Sequence, residues 1–314
     1  MKKIIALFLA VIMLVLCCGC GGGDSSKIRI GIAAPDVTHG WVAGVAYYAE
    51  KYCKNQNITY QITTSSDAAE MAANLSDLAA WGADAIVIWP QWTGMEDAVS
   101  EIIEQGIQVV SFDVDVDSQG IYKVTGNNYE MGRLSAKYIV DTVGDAASIA
   151  VLAVPSAGSV SELRLQGFMD YLNEIHYDQT NIFQNSLASF SRDTSLKDMT
   201  DILESHSHID AVFSMDDETS IGAVQAILEA GRTDIRAITG GGGMQEYFRM
   251  IKDEKYASLG LATALYSPAM VEDAIRSAIS LCEGETCEQC IVIPTAMITS
   301  ANVDSYLDAG NTVY

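Results

Sequence analysis

Short apolar runs rich in β-branched residues alternate along this chain with longer segments of helical periodicity. This alternation is typical of a parallel β-sheet whose strands are joined by crossover helices. Gly82, Gly106 and Gly231 each end a helical segment just before a strand, where a left-handed residue is favoured. The predicted strands are 28–33, 58–63, 85–89, 108–112, 148–153, 211–215, 235–239 and 259–262.

Two stretches of the chain are similar to each other. A strand beginning at Asp84 leads to a helix that ends at Gly106, and a strand beginning at Asp210 leads to a helix that ends at Gly231. The pattern indicates an α/β fold of two doubly wound parallel-sheet lobes. Ligands of such sheets bind beyond the carboxyl ends of the strands.

The beginning of the chain predicts export. Two lysines precede an apolar run of thirteen residues at 4–16, which is too short for a membrane-spanning helix. Residues 1–19 are expected to be a signal peptide, Cys20 a lipidated first residue similar to that of bacterial lipoproteins, and 20–26 a flexible tether. The protein would then be held at the outer face of the cell membrane or in the periplasm. An ordinary secretory signal with incidental cysteines is the alternative.

The charge balance excludes nucleic acid as a partner. The chain has 18 Lys and Arg against 41 Asp and Glu, a net charge of −23, and no basic run longer than two residues. Phosphate binding needs a basic excess. Without residues 1–19, which contain two lysines and no acid, the balance is 16 against 41, or −25.

Four cysteines follow Cys20 in the sequence. Cys282, Cys287 and Cys290 lie close together, and Cys53 lies far from them. In an exported protein this predicts a disulfide of undetermined pairing. A zinc site would need a fourth ligand, and no His is near the cluster, so no metal is expected.

No catalytic set is evident, so neither an enzyme nor a cofactor is expected. His206, His208 and Asp210 could ligate a metal, but a solvated helix end is the favoured interpretation. The sequence has no nucleophile elbow, no His-Glu-x-x-His and no Walker motif. Residues 240–243, four glycines, are predicted to be a mobile turn. The remaining enzymatic hypothesis is metal or thiol chemistry at the cysteine cluster.

Aromatic and acidic side chains follow several predicted strands. An indole face covers the C–H surface of a sugar, and a fixed carboxylate accepts hydrogen bonds from neighbouring hydroxyls. The alternative is structural: the indoles pack over the sheet, and Asp216 is a helix N-cap. The side chains in question are His39, Trp41, Trp89, Gln91, Trp92, Asp113, Asp115, Phe190 and Asp216.

Two motifs carry a family resemblance: Gly-Ala-Asp-Ala-Ile-Val-Ile-Trp-Pro at 82–90 and Gly-Asn-Asn-Tyr-Glu-Met-Gly at 126–132. With the export signal and the two halves, the chain resembles type I periplasmic sugar-binding proteins of ABC importers, chiefly the ribose/galactose group, from about residue 27 onward. The lac-repressor relatives share that fold but begin with a helix-turn-helix. The resemblance implies a hinge of three crossings near Gly126, Thr263 and Pro294. The lobes would be 27–126 plus 264–293, and 127–263 plus 294–314.

The resemblance also implies a set of ligand-binding residues. Val114 and Glu162 stand where the family has arginines, leaving Arg164 as the basic candidate, and Gly240-Gly241 replaces a Phe-Asp pair. The implied ligand is therefore a sugar or polyol rather than ribose specifically, or else a cationic amino-sugar or amine. The full set is His39, Trp41, Trp89, Gln91, Trp92, Asp113, Asp115, Asn128, Glu162, Arg164, Phe190, Asp216, Gly241 and Tyr266.

The implied function is capture of this solute between the lobes and delivery to an ABC permease with its ATPase. The protein is expected to be a monomer that contacts the membrane only through its lipid. A sensory binding protein that signals through a receptor is the alternative.

Overall fold

The computed structural model describes residues 28–37 and 40–314. The predicted signal peptide, the tether with Cys20, and His39 lie outside these residues. Within them, no helix is both long enough and apolar enough to cross a membrane.

Helices and strands alternate through most of the described chain. The strands are β1 Arg29–Pro35, β2 Thr59–Ser65, β3 Ala85–Ile88, β4 Gln108–Phe112, β5 Tyr122–Gly126, β6 Ile149–Ala153, β7 Ile182–Ser186, β8 Ala211–Phe213, β9 Ala237–Gly242, β10 Leu261–Leu265, β11 Cys290–Ile293 and β12 Met297–Ile298. The α-helices are α1 Gly40–Asn55, α2 Ala68–Trp81, α3 Glu96–Glu104, α4 Asn128–Val143, α5 Ser159–Glu174, α6 Arg192–Ser205, α7 Asp217–Glu229, α8 Gln245–Lys252 and α9 Val271–Cys282.

The strands of the described residues form two six-stranded sheets with orders β11-β5-β4-β3-β1-β2 and β12-β10-β9-β8-β6-β7. All neighbouring pairs are parallel except β10 and β12. We call the first sheet with its helices lobe 1 and the second lobe 2. The chain passes between the sheets after β5, after β10 and after β11, and this confirms the predicted two-sheet α/β fold.

The sequence did not predict four of the strands. β5, β7, β11 and β12 are edge or next-to-edge strands. β5 and β7 mix polar with apolar residues, β12 has only two residues, and β11, although apolar, has no buried residue. The predicted mobile turn at 240–243 is also wrong. Gly240, Gly241 and Gly242 belong to β9, where they pair in register with Thr263, Ala264 and Leu265 of β10.

The predicted helix ends are correct. Gly82, Gly106 and Gly231 have φ values of 86°, 86° and 62°, the left-handed conformation that closes a helix before a strand. Helices α4 and α5 lie at backbone contact, since a Cβ on Gly132 would lie 1.9 Å from the carbonyl oxygen of Arg164. This close approach fixes α5, and Arg164 with it, against α4.

The four cysteines of the described residues are free thiols, so the expected disulfide is not formed in this structure. Cys53 is buried in α1, and Cys282 at the end of α9 packs against the same hydrophobic cluster. Cys287 Sγ lies 3.8 Å from the carbonyl oxygen of Ser277. A disulfide within the cluster stays a prediction that thiol titration tests.

Candidate ligand-binding cleft

A cavity of about 540 Å³ lies between the lobes, at the carboxyl ends of strands from both sheets. Lobe 1 contributes residues that follow β3 and β4 and the beginning of α1. Lobe 2 contributes residues that follow β6 and β8, the end of β9 and the beginning of α5. Its position is the one expected for ligands of parallel sheets, and its size suits a small organic molecule.

The acidic group of lobe 1 is Asp113, which follows β4 and is 8% exposed. Tyr266 donates its hydroxyl to the Asp113 carboxylate, and Thr125 donates to the Asp113 carbonyl at 2.9 Å. Burial raises the pKa of Asp113, and the Tyr266 hydrogen bond and the charge of Arg164 partly oppose that shift. The carboxylate is thus held in place by a neutral donor.

The cationic group is Arg164 on α5, which is 5% exposed. Its Nε donates to Asn128 Oδ1 at 2.8 Å, and its Nη1 donates to the Met215 carbonyl at 2.8 Å. The guanidinium also lies 4.8 Å from the ring centre of Tyr266. Among the described residues no carboxylate lies within ion-pair distance of it, so its charge is fixed in position and unpaired.

Two indoles form the apolar wall of lobe 1. Trp41 and Trp89 meet edge to face with ring centres 5.1 Å apart, and Trp41 stacks on Phe112 at 6.0 Å. Trp41 Nε1 donates to the Tyr266 carbonyl at 2.7 Å. Both indoles are nearly buried and also line the cavity. They therefore pack over the sheet, as the structural interpretation expects, and are also placed to contact a ligand.

Lobe 2 presents an acidic group at the beginning of α7. Asp216 is the N-cap, and its Oδ1 accepts from the backbone N–H groups of Glu218 at 2.8 Å and Thr219 at 3.2 Å. Burial, with the nearby charge of Asp217, raises the pKa of Asp216 to about 7. Its second oxygen, Oδ2, accepts no hydrogen bond from the described residues.

Asp217, directly behind it, is fully buried and does not line the cavity. It accepts from Thr263 Oγ1 at 2.6 Å and from the backbone N–H groups of Gly243 and Met244 at 2.7 and 2.8 Å. Burial raises its pKa to about 6. Asp217 therefore ties α7 to β10 and to the end of β9.

The structure brings most of the sequence-predicted residues together. The predicted residues that line the cavity are Trp41, Trp89, Gln91, Trp92, Asp113, Asp115, Arg164, Phe190, Asp216, Gly241 and Tyr266.

Two predicted residues within the described chain do not line the cavity. Asn128 is buried behind it, where its side chain accepts from Arg164 and donates to the Tyr266 hydroxyl at 3.1 Å. Glu162 is exposed on α5, because Ser161 and Arg164 occupy the helix face that is turned inward. Asn128 is thus a positioning residue, and the expectation that Glu162 belongs to the cleft is wrong.

Sequence reasoning missed five lining residues that carry hydroxyl groups: Thr93, Ser156, Ser159, Ser189 and Ser191. Serines in loops are too common to signal a site, although Ser191 could be recognised as the N-cap of α6.

The hypothetical metal ligands near His208 form surface ion pairs. His208 is 60% exposed in its side chain and lies 3.2 Å from Asp210 and 3.5 Å from Asp234. Within residues 28–37 and 40–314 no group of three or more His, Cys, Asp or Glu could hold a metal ion.

The sequence is similar to a known protein family and to characterised relatives. The sequence model of the periplasmic binding protein domain matches residues 30–286. The ribose import binding protein of Bacillus subtilis (strain 168) is 26% identical over 282 residues, which cover 88% of this chain and 89% of the relative. The xylitol-binding protein of Mycolicibacterium smegmatis is 24% identical over 293 residues, covering 91% and 82%.

Solved structures share the fold. An ABC transporter solute binding protein of Mycobacterium smegmatis with bound glycerol superposes with a TM-score of 0.80 at 24% identity, covering 92% of this chain and 99% of that one. The Caulobacter myo-inositol binding protein bound to myo-inositol gives 0.79 at 20% identity, covering 90% and 96%. These likenesses show the fold of type I periplasmic binding proteins.

Proposed function

The chain belongs to the periplasmic binding protein family, and from this premise we propose that it captures a small neutral sugar or polyol in the cleft and delivers it to an ABC importer. It is a binding protein and not an enzyme. The observation that carries the proposal is the pairing of a fixed carboxylate, Asp113, with a fixed guanidinium, Arg164, beside two indole rings in one cavity.

This arrangement suits vicinal hydroxyl groups. Two of the Arg164 nitrogens are used by Asn128 and Met215, which leaves Nη2 as a donor toward a ligand oxygen. Asp216 Oδ2, which accepts no hydrogen bond from the described residues, is the matching acceptor for a ligand hydroxyl. The faces of Trp41 and Trp89 supply the apolar surface that the C–H groups of a sugar or polyol need. A hydroxyl both donates and accepts, so a polyol satisfies both charged groups.

A neutral ligand is favoured over a cationic one. Arg164 is buried without an ion pair, and burial raises the pKa of Asp216 to about 7, which reduces the negative charge that the cavity carries near neutral pH. A bound ammonium would be repelled by the guanidinium. The relatives named for ribose and xylitol, and the similar structures that hold glycerol and myo-inositol, support the same ligand class.

Capture is proposed to proceed by closure of the lobes about the three connections after β5, β10 and β11. The side chains that line the cavity come from both lobes, so only the closed arrangement surrounds the ligand. The permease would then receive the closed, loaded form. We expect the protein to act as a monomer.

Attachment to the membrane is proposed to occur through a lipid on Cys20. The sequence of residues 1–20 supports this, since an apolar run of thirteen residues is followed by Gly19 and Cys20. Replacing Cys20 with Ser should move the protein from the membrane fraction to the soluble fraction. If wild type and variant partition alike, lipid anchoring is excluded.

A thermal-shift screen tests the binding proposal. The purified protein is melted with a panel of pentoses, hexoses, their polyols, inositols, amino-sugars and methylated amines. A ligand at 100 times its dissociation constant adds about 2.7 kcal/mol to the free energy of unfolding, and a neutral sugar or polyol should do so. Stabilisation only by amines would overturn the neutral assignment, and no stabilisation by any solute would overturn the function.

A further inference from the structure

Residues 303–314, which we call the strap, are fastened first to lobe 2. Gln245 on α8 donates through Nε2 to the Tyr306 carbonyl at 3.0 Å, and its Oε1 accepts from the Asp308 N–H at 2.8 Å. Lys252, at the end of α8, forms an ion pair with Asp304. These contacts hold the first half of the strap to one lobe.

The strap then reaches lobe 1. Asn311, which is 5% exposed, donates through Nδ2 to the Tyr48 hydroxyl on α1 at 2.7 Å. Its Oδ1 accepts from the backbone N–H groups of Val313 and Tyr314, both at 3.1 Å. Asn311 therefore fixes the last turn of the strap and ties it to the helix that carries Trp41.

Tyr314 lies between the lobes and is 3% exposed. A Cβ on Gly44 of α1 would lie 3.0 Å from Tyr314 Cβ, and a Cβ on Gly242 of β9 would lie 2.1 Å from the Tyr314 hydroxyl oxygen. The ring thus contacts lobe 1 at one end and lobe 2 at the other. Gly44 and Gly242, which have no side chains, leave the space that Tyr314 occupies, and Gly242 itself lines the cavity.

The contact with Gly242 is steric rather than polar. The Tyr314 hydroxyl is buried and has no hydrogen-bond partner in the described residues. Burial raises its pKa, and the nearby charges of Asp217, Asp216 and Glu218 raise it further, so the hydroxyl stays neutral. What holds Tyr314 is the packing of its ring and the Asn311 bonds.

We propose that the strap is a fourth, non-covalent connection between the lobes, and that Tyr314 biases the ligand-free protein toward the closed arrangement. The inference depends on the lobe closure proposed above. Separating α1 from the end of β9 must pull Tyr314 from its seat, expose its ring to water and break the Asn311–Tyr48 bond. Because the binding-competent fraction scales the apparent affinity, the strap would strengthen binding without touching the ligand.

Small-angle X-ray scattering of the ligand-free protein tests this without any knowledge of the ligand. Tyr314→Ala and Asn311→Ala should each raise the radius of gyration above that of the wild type. Tyr314→Phe keeps the ring and loses only an unpartnered hydroxyl, so its radius should not change. Lys197→Ala removes an ion pair with Asp201 within α6 of lobe 2, outside the strap, and is the matched control, also with no change.

Amide hydrogen exchange provides the second reading, and it covers the case in which Tyr314→Ala fails to fold. Tyr48→Phe leaves the core intact and removes one hydrogen bond, so protection at the beginning of α1 should fall about two- to tenfold, with no change in the central strands. Unchanged scattering in Asn311→Ala together with unchanged exchange in Tyr48→Phe overturns the strap. An Asn311→Ala variant whose radius is raised but does not shrink with a stabilising sugar instead overturns lobe closure itself.

Discussion

Two residues that follow central strands, one in each lobe, have an unusual backbone. Asp113 follows β4 with a φ of 66°, and Met215 follows β8 with a φ of 60°. A left-handed backbone is costly for residues other than Gly, Asn and Asp, and such strain concentrates at functional sites. Here it turns one carboxylate into the cavity and aims one carbonyl at Arg164.

Replacing Asp113 with Asn tests the acidic group of lobe 1. Asn tolerates the left-handed backbone, so the fold should survive, while loss of the charged acceptor should weaken binding of the most stabilising sugar or polyol about ten- to hundredfold. Titration calorimetry measures the change. Glu162→Gln, an acid outside the cavity, is the control and should bind like the wild type. Equal affinity in both variants would show that Asp113 does not contact the ligand.

Asp216 makes stability depend on pH. Its pKa is about 7 in the folded protein and about 3.9 in an unfolded chain, so the folded state holds more protons between these values. The free energy of unfolding therefore falls as pH rises from about 4 to about 7 and is level above that. Asp216→Asn keeps the N-cap acceptor and removes this pH-dependent fall in the free energy of unfolding. Its stability relative to the wild type should therefore be roughly 2–3 kcal/mol greater at pH 8 than at pH 5, as measured by urea unfolding.

Asp234, a carboxyl group whose pKa is lowered by folding, provides the control. Hydrogen bonds from Arg232 hold the pKa of Asp234 well below its usual range. Its contribution to stability is complete above about pH 4 and is lost only as pH falls further. Asp234→Asn should therefore be destabilised equally at pH 5 and pH 8. A gain for Asp216→Asn that is the same at both pH values would refute the protonated form of Asp216.

Part of the site could be predicted from the sequence, because apolar runs mark where the strands end and ligands bind beyond those ends. Trp41, Trp89 and Asp113 follow strands or begin a helix after one, and they line the cavity. The role of Asn128 could not be read, since it depends on how α4 and α5 cross. Distances between elements leave no local signal in a single sequence.

At the scale of elements, the central strands other than β5 were predictable, as was the edge strand β2, whereas β5, β7, β11 and β12 were not. β3 and β6 are buried along their whole length and read as continuous apolar runs. β7 is half exposed, and the glycines of β9 carry no strand signal at all. β9 forms nonetheless because it pairs with β8 on one side and β10 on the other. Asp217 fills the space beside Gly240, where a Cβ would lie 2.5 Å from its Oδ1. Tertiary packing here outweighs the low strand propensity of the β9 glycines.

The crossing of α4 and α5 should tolerate no side chain at Gly132. A Cβ there would lie 1.9 Å from a backbone oxygen, which cannot move away as a side chain would. Gly132→Ala should lower the free energy of unfolding by about 3 kcal/mol and weaken ligand binding, because Arg164 moves with α5. Lys137→Ala, on the exposed face of α4, is the control and should change little. A wild-type urea midpoint for Gly132→Ala would contradict this packing.

At the scale of the whole molecule, two sheets of like topology place their strand ends on one shared cavity. Neither lobe holds a complete set of ligand contacts, since the indoles and Asp113 come from lobe 1, and Asp216 and Arg164 from lobe 2. The division explains why binding and closure should be a single event. The acidity of the chain excludes polyanions as ligands but does not select the solute, because most acids are exposed.

Closure should be measurable in solution. The sugar or polyol that stabilises the protein most should also lower the radius of gyration, most clearly in Asn311→Ala, because the side chains that line the cavity come from both lobes. Asp113→Asn at the same ligand concentration should shrink less, as it is less occupied. A radius that stays constant while the melting temperature rises would mean that binding does not draw the lobes together.

The most direct test is a crystal structure of the protein with that ligand bound. We expect density for a neutral sugar or polyol between Trp41 and Phe190, with ligand oxygens within hydrogen-bond distance of Asp113 and Arg164. Density at a different surface, or an empty cleft at a ligand concentration that saturates the thermal shift, would contradict it.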